Sequence, residues 1–116
     1  MRLIIDEIPV SMNGSNGLLR MGHWRRSRYN ERWRQLVRAA SDNSHKPCKV
    51  RMQVSISQMR KKLLDRDNLF ASCKPILDGM VHWKLIKDDN EEWIELDCVQ
   101  NVGKVPMTVI VIEELQ

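Results

Sequence analysis

The sequence predicts an α+β domain: a mixed four-stranded sheet with about two helices, in the order β-α-β-α-β-β. Three observations carry that expectation. Val50 to Met59 alternates, with Val50, Met52, Val54 and Ile56 on one face and Arg51, Gln53, Ser55 and Ser57 on the other, as in a half-buried strand. Tyr29, Trp33, Leu36, Val37 and Ala40 recur at helical spacing and would form a buried face. Val109-Ile110-Val111-Ile112 is an unbroken β-branched run suited to a buried strand. At 116 residues the chain suits one domain, 1–116, with no linker or boundary visible.

In chain order, Leu3 to Ile8 reads as a first strand, interrupted by Asp6 and Glu7 and closed by Pro9. Ser11 to Gly22 reads as a loop: Asn13, Gly14, Asn16 and Gly17 favour turns and permit close approach to a phosphate backbone. The first helix is expected to begin near Ser27 or Asn30, both acceptable N-caps. On it Arg28 with Arg32, and Arg34 with Arg38, stack at i,i+4 towards solvent, a like-charge repulsion that bound phosphate would relieve. Ser41 to Pro47 ends this helix as a polar loop. After the alternating strand, Ile76, Leu77 and Met80 indicate a second helix that ends near Val81 to Trp83. Glu92 to Val99 and Val105 to Ile112 supply the last two strands, expected to form a hairpin around Gln100-Asn101-Val102-Gly103-Lys104.

The hydrophobic fraction of 42% supports one modest core, to which a partner subunit would add. Formal net charge is +4, and its distribution says more than its size. Arg20, Arg25, Arg26, Arg28, Arg32, Arg34 and Arg38 crowd one stretch with Glu31 as its only acid, which points to nucleic acid as the polyanionic partner. The bland reading is a solvated helix face. Cys48, Cys73 and Cys98 form no CxxC pair, so neither a disulfide framework nor a zinc site follows. His23, His45 and His82 show no metal-ligand spacing. No signal-peptide run or membrane span is legible, and the expectation is a cytoplasmic protein with no membrane partner.

The chemistry concentrates in Asp65-Arg66-Asp67-Asn68-Leu69 and Asp88-Asp89, with the bases Arg60-Lys61-Lys62 just before. In extended backbone the side chains of Asp65 and Asp67 point the same way and would face one cation. Mg²⁺ takes hard oxygen ligands, usually one or two carboxylates with substrate phosphate oxygens, and reverses the repulsion between acids and nucleic acid. A third carboxylate from Asp88-Asp89 would join if the loop before Glu92 folds back. Lys74 is a candidate to neutralise charge on the phosphate or to orient the attacking water. Against this, Asp is common in caps and turns: Asp67 would cap a helix, and Asp88-Asp89-Asn90 would be a polar turn.

These segments, with Lys74-Pro75-Ile76-Leu77-Asp78-Gly79-Met80 and Ile86-Lys87-Asp88-Asp89, resemble the RusA family of Holliday junction resolvases. Ile8-Pro9-Val10-Ser11-Met12-Asn13 is similar to that family's loop after the first strand. The likeness is concentrated in residues 65 to 89. It implies a homodimeric, Mg²⁺-dependent endonuclease of bacteria or their phages that cuts four-way DNA junctions by paired nicks, with Mn²⁺ as a substitute cation. Asp65, Asp67 and Asp89 would be its metal-binding carboxylates and Lys74 its catalytic lysine, with Asp88, Asn68 and Asp78 in support. Arg20, Arg25, Arg26, Arg28, Arg32, Lys61 and Lys62 would hold the DNA.

The sequence departs from the family in one place: Phe70-Ala71-Ser72-Cys73 separate the acidic segment from Lys74. A straight helix from Asp67 would bury Pro75 in its interior, where proline removes a hydrogen bond and clashes. Either the helix kinks between Phe70 and Lys74, or it starts near Ser72 with Pro75 in its first turn. In the second case Lys74 misses the site and Lys61 or Lys62 takes its role.

Among the tryptophans, Trp33 belongs to the core, Trp83 and Trp93 flank the acidic turn, and Trp24 is the candidate for an unpaired base. Two rival functions use the same residues. One is a branched-DNA-binding protein whose acids are structural. The other is a metal-dependent phosphodiesterase acting on flaps, RNA or nucleotides.

Overall fold

The alternating stretch forms a strand, β2 (Met52–Arg60), with hydrogen-bonded neighbours on both edges. The computed structural model describes residues 1–12, 17–41 and 46–115. The expected turn residues Asn13, Gly14 and Asn16, and residues 42–45 of the polar loop (His45 among them), lie outside these. The remaining elements are β1 (Arg2–Ile5), α1 (His23–Ala40), α2 (Arg66–Ser72), α3 (Lys74–His82), β3 (Ile94–Val102) and β4 (Met107–Glu114), with a short 3-10 turn at Leu18–Arg20. The α+β class and the mixed four-stranded sheet are as expected.

The strand order is β1-β4-β2-β3, with β2 and β3 parallel and the other pairs antiparallel. Parallel strands need a crossover, and α2 with α3 supplies it. The expected hairpin between the last two strands does not form, because β2 lies between them. The link from Val102 to Met107 instead passes over the end of β2, where Gly103 donates its backbone N–H to the Arg60 carbonyl at 2.9 Å. A Cβ at position 103 would collide with the Met59 side chain, so the turn signal serves a crossing. The first strand also stops at Ile5, short of the expected Ile8, because Ile5 faces Thr108 and β4 begins at Met107.

Three helices form where about two were expected, because the crossover is split at Cys73 into α2 and α3, and their ends are not always the expected ones. Helix α1 starts at His23, earlier than Ser27, with Gly22 in the N-cap position and no side-chain cap. Its face is as expected: Trp33 and Val37 are buried, and Tyr29, Leu36 and Ala40 pack against the core. Trp83 at the end of α3 donates its indole N–H to the Arg34 carbonyl at 2.8 Å, and Arg38 stacks over the same ring at 4.9 Å. Among the described residues, no helix is long and apolar enough to cross a membrane.

The core lies between the helices and one face of the sheet, where Val54, Ile56, Ile110 and Ile112 meet Trp33, Ile76 and Met80. On the same inward phase β2 then places Gln58 and Arg60, both buried. Arg60 donates to the Gln58 side-chain oxygen at 2.7 Å and to the Pro9 carbonyl at 2.6 Å. The Gln58 amide in turn donates to the Ser72 hydroxyl at 3.1 Å and the Cys73 sulfur at 3.3 Å. Cys98 on β3 donates to Cys73 at 3.4 Å, which holds the Cys73 thiol below its ordinary range and pushes Cys98 above it. Gln58→Leu removes the middle of this line and strands buried partners on both sides. It should cost about 1–3 kcal/mol or more, read as a lower urea midpoint at unchanged m-value. A midpoint equal to the parent's would show that the line is dispensable.

Candidate functional site

The segment leaving β2 is fastened before the acidic residues begin. Leu64 donates its backbone N–H to the Gln100 side chain at 3.0 Å, and the Gln100 amide returns a bond to the Leu64 carbonyl at 2.6 Å. Asp65 follows in extended conformation and caps α2. Its Oδ1 accepts from the Asn68 backbone N–H at 2.9 Å and its Oδ2 from the Asn68 side-chain amide at 2.8 Å. The capping residue is therefore Asp65, where Asp67 was the sequence candidate.

This local structure alters one expectation. Asp67 is in the first turn of α2, so Asp65 and Asp67 do not share an extended backbone, and residues two apart in a helix do not face each other. Asp67 is exposed and stands one turn before Phe70. Phe70 lines a hollow of about 520 Å³ together with Asp89, Arg51 and Glu95. Arg66 lies over the Phe70 ring at 5.5 Å.

The helix breaks at Cys73, which is at once the C-cap of α2 and the N-cap of α3. Pro75 then falls in the first turn of α3, where its missing N–H costs nothing. Both sequence alternatives are thus partly realised: the helix starts at the acidic segment and restarts before Pro75. Lys74 is not lost to the site. Its ammonium lies 2.7 Å from Asp89 and 3.1 Å from Asp78, two of the acids the resemblance names.

Asp89 reaches Lys74 because the chain doubles back along α3. Lys84 adopts φ 62°, Leu85 N–H bonds to the Met80 carbonyl and Lys84 N–H to that of Val81, which is a Schellman closure without the usual glycine. Leu85 and Ile86 are buried and anchor the return. Asp88 on the same loop stays exposed, its Oδ1 accepting from the Asp89 N–H at 2.7 Å.

The Lys74 contact holds the Asp89 carboxyl below its usual range, with burial opposing. The Asp89 contact holds Lys74 above its usual range, with burial again opposing. Lys74, Asp78 and Asp89 therefore form one group, and Asp65 with Asn68 another. Among the described residues no three Asp, Glu, His or Cys side chains form a metal cage. The donors nevertheless suit Mg²⁺, which asks few carboxylates of a protein, and Asp65 keeps lone pairs beyond the two that Asn68 uses.

No protein-family model matches the chain, and no curated protein matches it.

The expected DNA-binding residues separate by their partners. Arg32 is tied to Glu7 at 2.7 Å, and Arg26 donates to the Leu18 carbonyl at 2.9 Å. Arg20, Arg25, Arg28, Lys61 and Lys62 are exposed and make no ion pair among the described residues. Trp24 is 77% exposed, next to Arg25. Arg60, expected only as part of a basic cluster, and Lys104, expected only in a turn, line a cavity with Lys61, Lys62 and Asn68. Parity would have found Arg60, since it continues the inward phase of Val54 and Ile56.

The Lys74–Asp89 contact has a definite pH signature. The folded carboxyl of Asp89 lies below its unfolded value, so its contribution is present above the unfolded value and fades as pH falls through the folded one. Asp89→Asn should therefore lower stability at neutral pH, by no more than about 1 kcal/mol for so exposed a partner, and make no difference in strong acid. Urea titrations of both proteins from neutral to strongly acid pH check this. A deficit that is constant across that range would mean the ion pair is not its source.

Proposed function

We propose that this chain is a Mg²⁺-dependent endodeoxyribonuclease that resolves four-way DNA junctions by paired, symmetric nicks. The observation that supports it most is the return of Asp89 to Lys74 at the start of α3, one short helix after Asp65 and Asp67. A two-fold junction needs two symmetry-related cuts, so the proposal includes a homodimer. It places the activity in a bacterial cytoplasm, encoded by host or phage.

Each residue has a role in hydrolysis of a phosphodiester. Asp65, Asp67 and Asp89 would hold the cation, which when bound polarises the phosphate and lowers the pKa of the attacking water. Asn68 orients Asp65 through both carboxylate oxygens. Lys74 stays charged well above neutral pH and supplies a fixed cation for a phosphate oxygen, with Asp78 steadying it from one turn along α3. Asp88 braces the Asp89 backbone. Arg20, Arg25, Arg28, Lys61 and Lys62 contact the backbone by charge, so shape dominates selection.

A second reading has its own support. Asp65 is engaged as a cap, and Asp89 is neutralised by Lys74, as acids with a structural role would be. That reading makes the chain a branched-DNA-binding protein.

An end-labelled four-way junction, with Mg²⁺, with Mn²⁺, with EDTA and with Asp67→Asn, decides between them. We expect paired nicks that require the cation and fall at least ~100-fold in the variant, about 2.7 kcal/mol of transition-state stabilisation. Tight binding with no cut under either metal selects the binding protein. Faster cleavage of flaps or RNA than of junctions would replace the resolvase with another phosphodiesterase.

A further inference from the structure

We infer that the cavity between the loop after β1 and the end of β2 seats one unpaired nucleotide, its phosphate on the basic rim and its base on the apolar wall. The inference rests on the nucleic-acid reading of the neighbouring acidic site and adds to it a place for a base. The cavity measures about 740 Å³, within the range of small-molecule sites.

Its two sides differ in chemistry. Ile8, Leu63 and Pro106 supply an apolar wall, and Lys61, Lys62 and Lys104 supply the basic rim. Arg60 lies between them, only 7% exposed. Its bonds go to the Gln58 amide oxygen and the Pro9 carbonyl, both neutral. Among the described residues it has no carboxylate within ion-pair distance. A buried cation is costly unless an opposite charge balances it. A phosphate at this cavity would supply that balance.

An isolated anion would satisfy the cations but leave the apolar wall in water. A nucleotide uses both. The base must be unpaired, because a concave site of this kind cannot admit one still stacked and paired within a duplex. Such bases occur where strands exchange at a branch. Asn68 lines the same cavity and bonds to Asp65, so a nucleotide seated here lies next to the acidic site.

Binding without cutting tests this. The full chain in EDTA is titrated with four-way junctions that carry 2-aminopurine at one position at a time across the crossover. We expect a fluorescence increase confined to one position in each pair of symmetry-related strands. Leu63→Glu and Lys104→Glu change exposed side chains and should abolish that increase and weaken junction binding about tenfold or more, with unchanged circular dichroism and melting. A dinucleotide should compete for the signal at concentrations where inorganic phosphate does not. An equal response at every position, parent-like binding by Leu63→Glu, or equal competition by phosphate would each overturn the seat. Cleavage plays no part in these readings. A chain that shows the signal but never cuts keeps the seat and loses the nuclease, and one that cuts without the signal does the reverse.

Discussion

A line of buried polar groups runs from the Pro9 carbonyl through Arg60 and Gln58 to Ser72 and Cys73, and on to Cys98. It crosses the loop after β1, the end of β2, the junction of α2 with α3, and β3. Apolar packing holds the middle of the domain, but it is non-directional and would tolerate sliding of one element along another. A buried hydrogen bond contributes only about 1 kcal/mol net, whereas leaving its partner unmade costs more. That asymmetry makes the line a registration device. None of the described residues has a buried side-chain nitrogen or oxygen without a partner, so the line is complete as it stands.

The acidic site is a consequence of that registration. Ser72 and Cys73 are where Gln58 grips the helical crossover, and Cys73 is where α2 ends and α3 begins. Fixing the break there fixes the direction in which Lys74 leaves the backbone. The clasp between Leu64 and Gln100 fixes the other end, immediately before Asp65. The candidate side chains Asp65 and Lys74, themselves exposed, are thus held by neighbours that are not, the arrangement a precise site would require. Asp89 is the exception in origin. It arrives by the backtracking loop after Lys84, held by Leu85 and Ile86 in the core.

The sequence made the main plan legible where a period or a chemical type had one meaning. The alternation in β2 and the helical stripe from Tyr29 to Ala40 were of this kind. It misled where a local signal had two uses. Asn101 and Gly103 suit a hairpin, but here Gly103 lets the chain cross the end of β2. The start of α1 was read too late because Gly22 carries no capping side chain to announce it. Asp65 and Asp67 looked like residues of one extended strand because nothing before Asn68 declares that Asp65 is a cap. Arg60 was read by its charge, as part of a basic cluster, when its parity on β2 assigns it to the interior. For a polar residue at the end of a strand, phase is therefore the better guide to burial.

The placement of charge around Asn68 constrains how any phosphate backbone could approach. On one side stand Lys61, Lys62 and Lys104 with the buried Arg60; on the other stands Asp65, with Asp67 two residues on. A polyanion is drawn to the first side and repelled by the second over distances within about a Debye length of 8–10 Å. With no cation present, the backbone would rest on the lysines and stop short of the acids. A divalent ion at the acids changes the sign of that half of the surface and lets the backbone extend across it. Metal and nucleic acid would then each favour the binding of the other, because their charges are complementary at one boundary. Lys74 limits the effect: by neutralising part of the Asp89 charge it lowers the repulsion and also the attraction for a cation. In the proposed nuclease, Asp78 and Asp89, which share Lys74, would then set how strongly nucleic-acid binding depends on the metal.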